Sequence, residues 1–201
     1  MLHINFTEIE ATRRELVCVT RKLYERGLCA GTSGNTSARV PNYSDWILIK
    51  KTGKCCGEVE SEDFLLIDLE GNILDGEGEP STEVNLHCGI YKVRPDVSAI
   101  IHDHSPYATA YATARNELPI VTAAEGLSEI GIIGYEKPGS LKLASAVAGF
   151  FQNKTVRSSV LVRHGVITVG ASLSQAYYLA DVVETNAKMA CILAQISSDK
   201  R

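Results

Sequence analysis

The chain has no apolar run approaching the ~18 residues that cross a bilayer, so no membrane helix is expected. It has no C-x-x-C pair, which removes zinc knuckles and thioredoxin-like motifs. The phosphate loop Gly-x-x-x-x-Gly-Lys-Ser/Thr is missing, and so is the dinucleotide fingerprint. Surplus charge is small: 20 Lys+Arg against 24 Asp+Glu leave a net −4. That gives no electrostatic reason to expect nucleic acid or an anionic membrane. Repeats, low-complexity tracts and linkers are absent too.

What is present fits one soluble globular domain over residues 1–201, with 45% apolar and 22% charged residues. Met1 to Phe6 is too short and polar for a signal peptide. The expected compartment is therefore the reducing cytoplasm, with all six cysteines as free thiols. Cys18, Cys88 and Cys191 fall in helical patterns and read as small buried hydrophobes. Cys55 and Cys56 sit in a glycine-flanked loop.

Thr7 and Glu10 have the spacing of a capping box before a helical stripe of Leu16, Val19 and Leu23, which Gly27 stops. Short strands are expected at Thr36–Val40 and Trp46–Ile49, a helical turn at Ser61–Asp63, and a hairpin of Leu65–Leu69 and Ile73–Leu74 around Gly71-Asn72. Ser81 and Thr82 cap a helix from about Glu83 to Val93. Val97–His102 reads as a buried strand, Pro106–Arg115 as a helix, and Ile120–Ala123 as another strand. A helix runs from Gly139-Ser140 to Phe151, strands cover Val160–Val162 and Val166–Val169, and Ser172 caps a final helix to about Ile196. The interleaving implies one α/β domain on a mixed or antiparallel sheet.

The strongest local signal is His102-Asp103-His104 at the end of an apolar strand. Residues i and i+2 of a strand share a face, so both imidazoles aim at one point. His164, also at a strand end and followed by Gly165, is the natural third donor of a metal site that keeps one position open. Glu83 stands in the first turn of its helix. It reads either as a dipole-favoured capping carboxylate or as an acid/base group or fourth ligand. His87, one turn on, is a structural histidine or a partner that orients such groups. Gly31-Thr32-Ser33-Gly34-Asn35-Thr36-Ser37 is either a turn or a nest of amides for an anion. Thr52-Gly53 and Ser81-Thr82 are similar small polar spots that matter if the fold unites them.

These segments occur in order: Gly31–Asn35, Pro80-Ser81-Thr82-Glu83 with His87, His102-Asp103-His104-Ser105-Pro106, and His164-Gly165. Together they resemble the class II aldolase/adducin superfamily, and within it the L-fuculose-1-phosphate aldolases, over about residues 8–195. The resemblance implies a single-domain three-layer α/β/α sandwich around a mostly antiparallel sheet, commonly assembled as a homotetramer. It implies one divalent metal ion per subunit on His102, His104 and His164, with zinc the default and manganese, cobalt or iron compatible. It further implies Glu83 as the acid/base that can also approach the metal. Gly34, Asn35, Thr52, Gly53, Ser81 and Thr82 would bind the phosphate of a small phosphorylated sugar. The implied reaction is cleavage of a ketose 1-phosphate through a metal-stabilised enediolate.

The chain departs from the aldolases in two places. It has small residues around Thr122 to Ala124 where they have a tyrosine, and it ends at Arg201 without their C-terminal tyrosine. Glu125 and Glu129 lie in the first stretch and read either as pocket-shaping or as surface charge. The superfamily also runs decarboxylase, dehydratase and 4-epimerase reactions on such a site, and the epimerases typically have Asp at the position of Glu83. Its adducin-type members lack the metal histidines, which are intact here.

Overall fold

The computed structural model describes residues 6–124 and 126–198. Its centre is an eight-stranded sheet in the order β4-β3-β2-β1-β5-β8-β7-β6. The strands are β1 (Asn35–Arg39), β2 (Trp46–Lys50), β3 (Phe64–Asp68), β4 (Ile73–Asp75), β5 (Ala99–Asp103), β6 (Gly131–Ile133), β7 (Ser158–Leu161) and β8 (Gly165–Gly170). Every pairing is antiparallel except β6 with β7. The helices are α1 (Phe6–Glu25), α2 (Val84–Val93), α3 (Pro106–Arg115), α4 (Leu141–Phe151) and α5 (Leu173–Ser198).

Period-two alternation explains the layering. Ile47, Ile49 and Ile100 point to a core shared with Leu86 and Ile90 of α2 and Val147 of α4. Leu48 and Ile101 point the other way, toward Leu16 of α1 and Ala180 of α5. A third cluster packs Ala108 of α3 and Val183 of α5 on Val160 and Val166. Helices thus cover both faces, giving the expected three-layer α/β/α sandwich. The apolar central strands are those buried on both sides.

Several local expectations needed correction. Thr7 lies inside α1, so it cannot be the extended N-cap of a capping box. Ser81 and Thr82 do not cap α2. Glu83 holds the N-cap position, and the Ser81 hydroxyl accepts the Glu83 amide at 3.2 Å, one step before the helix. Ser140 does cap α4, accepting from the Leu143 amide at 3.1 Å. Residues 120–123 are not a strand. Buried Asn186 of α5 instead holds the segment, accepting from the Val121 amide and donating to the Pro119 carbonyl. The edge strand is β6 instead. Cys88 is buried, but Cys18 is exposed and Cys191 half-buried, because both fall beside their helices' apolar stripes.

Candidate active site

One end of the sheet gathers the end of β2, the start of β1, the end of β5 and the start of β8. His102 pairs across β5–β1 with Asn35, and Ser37 pairs with Ile100. All four side chains therefore rise on the α2–α4 face. A cavity of about 350 Å³ opens there. It is lined by His102, His104, His164 and Glu83, by Gly34 and Asn35, by Thr52 and Gly53, and by Ser81 and Thr82. The three histidines, Glu83 and all six expected phosphate-binding residues reach this one cavity. A larger cavity, about 610 Å³, lies at the other end of the sheet among Arg39, Asn42 and Tyr43, and no histidine lines it. The chemistry belongs to the smaller one.

The donor nitrogens of His102, His104 and His164 lie within 4.8 Å of one another. His102 Nε2 and His164 Nε2 are 3.2 Å apart, close to the about 3.3 Å that two imidazoles on one tetrahedral zinc would show. His102 Nδ1 donates to the Val166 carbonyl at 3.0 Å. A carbonyl can only accept, so the proton sits on Nδ1 and the Nε2 lone pair faces the cavity. Burial, then the charges of His164 and His104, hold His102 well below its ordinary range. Burial also lowers His104, and with His104 as neighbour it brings His164 to about 4. All three rings are thus neutral at pH 7, the form that ligates cations.

Gly165 makes this approach possible. A Cβ there would run into the Asp103 carbonyl oxygen and come within 3.1 Å of His102 Cε1. Glu83, only 5% exposed, accepts the Gly139 amide at 2.9 Å. Its Oε1 is 3.5 Å from His164 Nε2. Because His164 is neutral, this is proximity and not an ion pair. Burial raises the Glu83 carboxyl, partly opposed by the Gly139 amide.

The anion end is built differently. Gly34 has φ +79, and a side chain there would strike Cys29 Sγ and the His102 carbonyl. Asn35 is aimed by a buried relay. Tyr91 donates to Ser37 at 2.9 Å, Ser37 to His87 Nδ1 at 2.7 Å, and His87 Nε2 to Asn35 Oδ1 at 2.6 Å. This occupies the Asn35 oxygen and leaves its NH₂ for the cavity. His87 therefore orients Asn35, and burial lowers its pKa to about 3, keeping it neutral. Hydrogen bonds from the Ser81 amide to the Lys50 carbonyl (3.0 Å) and from the Thr52 amide to the Glu79 carbonyl (3.1 Å) tie Thr52-Gly53 to Ser81-Thr82.

Three cavity cations escaped the sequence reasoning: Lys50, Lys51 and Arg163. Adjacency to His164 could have flagged Arg163, whereas alternation past Ile49 sends Lys50 to the opposite face and gives no such signal. Glu129 is exposed and does not line the cavity, so its charge is a surface feature. Glu125 lies outside the described residues.

Residues 14–191 match the family described as Class II Aldolase and Adducin N-terminal domain. The chain is 36% identical over 180 residues to an L-fuculose phosphate aldolase of Methanocaldococcus jannaschii, covering 88% of this chain and 94% of that protein. It is 32% identical to a 3-oxo-tetronate 4-phosphate decarboxylase of Haemophilus influenzae, covering 89% and 86%. A solved L-fuculose 1-phosphate aldolase superposes with a TM-score of 0.83 at 28% identity, covering 98% of this chain and 91% of that one. With the family match over most of its length and this extent of likeness, the chain belongs to the class II aldolase/adducin family and is an enzyme of that superfamily.

Proposed function

We propose that the chain is a divalent-metal-dependent aldolase that cleaves a ketose 1-phosphate, of the L-fuculose 1-phosphate kind, to dihydroxyacetone phosphate and an aldehyde. One observation carries this reading: three neutral imidazoles converge beside a buried carboxylate in a cavity whose other end is lined by small residues and amides. The donor set fits a divalent cation, zinc first, held by His102, His104 and His164 with one position left open. When bound, the cation supplies Lewis-acid polarisation of the substrate carbonyl and stabilises the charge that develops on bond cleavage.

The remaining work falls to the chain's own groups. Gly34, Asn35, Thr52, Gly53, Ser81 and Thr82 hold the phosphate, so its binding energy orients the reacting carbons. Burial-raised Glu83 takes and returns the proton, its Oε1 fixed by the Gly139 amide. We also read the enzyme as cytoplasmic and as a homotetramer. The exposed Ile192, Leu193 and Ile196 on α5 fit burial between copies.

A turnover assay of metal-loaded protein against a panel of ketose phosphates tests the proposal. Dihydroxyacetone phosphate should appear, and a chelator should stop its release. The small residues Thr122 to Ala124 and the decarboxylase relative favour a second reading, decarboxylation of a phosphorylated oxo-sugar acid on the same site. Carbon dioxide without dihydroxyacetone phosphate would replace the first reading by the second.

A further inference from the structure

Arg163 occupies the turn between β7 and β8, directly before His164, and lines the candidate cavity. Its backbone has φ +61, a region that residues other than glycine seldom enter. That conformation is fixed by its amide, which donates to Thr113 Oγ1 of α3 at 2.9 Å. The guanidinium lies over the Tyr135 ring, 4.7 Å from the centroid. Such a cation–π contact uses the positive charge of a guanidinium without consuming its N–H donors as a hydrogen bond to an acceptor would. Among the described residues it makes no ion pair with a carboxylate. The cavity is lined by Lys50, Lys51 and Arg163 against one carboxylate, Glu83. It is built for more negative charge than it contains.

Strand order decides where that charge goes. Across the sheet end the sequence is β2, β1, β5, β8, β7. Thr52-Gly53 follows β2 and Gly34-Asn35 opens β1, whereas Arg163 sits in the β7–β8 turn. His102 of β5 and His104 just after it lie between, while His164 shares the turn with Arg163. Arg163 is thus on the far side of the reacting centre from the phosphate groups. A planar, forked donor there matches a carboxylate bidentately.

We infer that Arg163 is a specificity-determining residue that takes a carboxylate at the non-phosphorylated end of the substrate, so that the substrate class is a phosphorylated sugar acid. This rests on the reading of the cavity as a sugar-phosphate site. It favours the second reading, a phosphorylated oxo-sugar acid, over a fuculose-like ketose phosphate, whose far end carries no carboxylate.

Calorimetric titration of metal-loaded protein with erythronate 4-phosphate and with erythritol 4-phosphate tests the assignment. The two probes differ only by the carboxylate. Wild type should bind the acid at least about tenfold more tightly, the yield of one charge-assisted contact. In Arg163→Gln that preference should collapse toward unity while erythritol phosphate binds as before, and Arg163→Lys should fall between. A preference for the acid that survives in Arg163→Gln would overturn the inference, since chelation of the metal would then explain it. Equal weakening of both probes would also overturn it, by placing the phosphate on Arg163. Equal wild-type affinities would overturn it and leave the sugar-phosphate reading standing. Binding of neither probe would overturn both.

Discussion

The two ends of the cavity are made by different means. The histidine end is side chains on strand termini, aligned by the pleat and by the β5–β8 register. The anion end is amides, hydroxyls and one amide side chain, aimed by loop conformation and by the Tyr91–Ser37–His87 relay. The first depends on residue identity, so single substitutions should abolish it. The second spreads binding over many groups, so single substitutions should only weaken it.

The largest expected effect breaks the histidine end. His102→Ala or His164→Ala should take bound metal from about one ion per chain to near none, measured by elemental analysis, and remove activity with the fold retained by circular dichroism. Wild-type-like turnover by a His102→Ala, His104→Ala double variant would sink the metal assignment. Glu83→Gln should keep the metal, because the amide oxygen can still accept from Gly139, yet slow turnover by about 10² or more. Full activity would return Glu83 to a capping role. At the other end, Gly34→Ala should raise KM about tenfold with metal content unchanged, because the new methyl group displaces the loop from Cys29. Metal loss in that variant would show that the two ends are not separable.

The smallest effect concerns pH. Buried His87 titrates at about 3 when folded against an ordinary 6.5. Between those values the unfolded chain binds one proton more. This contribution is therefore complete above pH 6.5 and is lost as pH falls toward 3, by up to about 1.4 kcal/mol per pH unit. His87→Gln should flatten the acid side of the stability curve in denaturant titrations. An unchanged slope would mean that His87 is not held neutral.

The same contrast explains what was legible in the sequence. His102 and His104 could be paired from strand alternation alone, and Gly165 marked His164, because such signals are local. The order of the strands is not local, and only that order brings Thr52, Ser81 and Asn35 to one wall. Residues 120–123 looked extended, but what takes the Val121 amide is the side chain of Asn186, some 65 positions later, and not a neighbouring strand. β6 is three residues long and begins at a glycine, too little pattern to stand out. Arg163 and Lys50 carry no motif, and their significance lies in which cavity they face.

The 62 positions in sequence between His102 and His164 have a thermodynamic consequence. In the proposed site a cation would close that long loop in the folded chain only, because the unfolded chain keeps its imidazoles apart. Ligation and folding would then be linked equilibria. At a free concentration a thousandfold above its Kd, the ion would add about 4 kcal/mol to the native state. A chelator would act on this enzyme as a mild denaturant as well as an inhibitor.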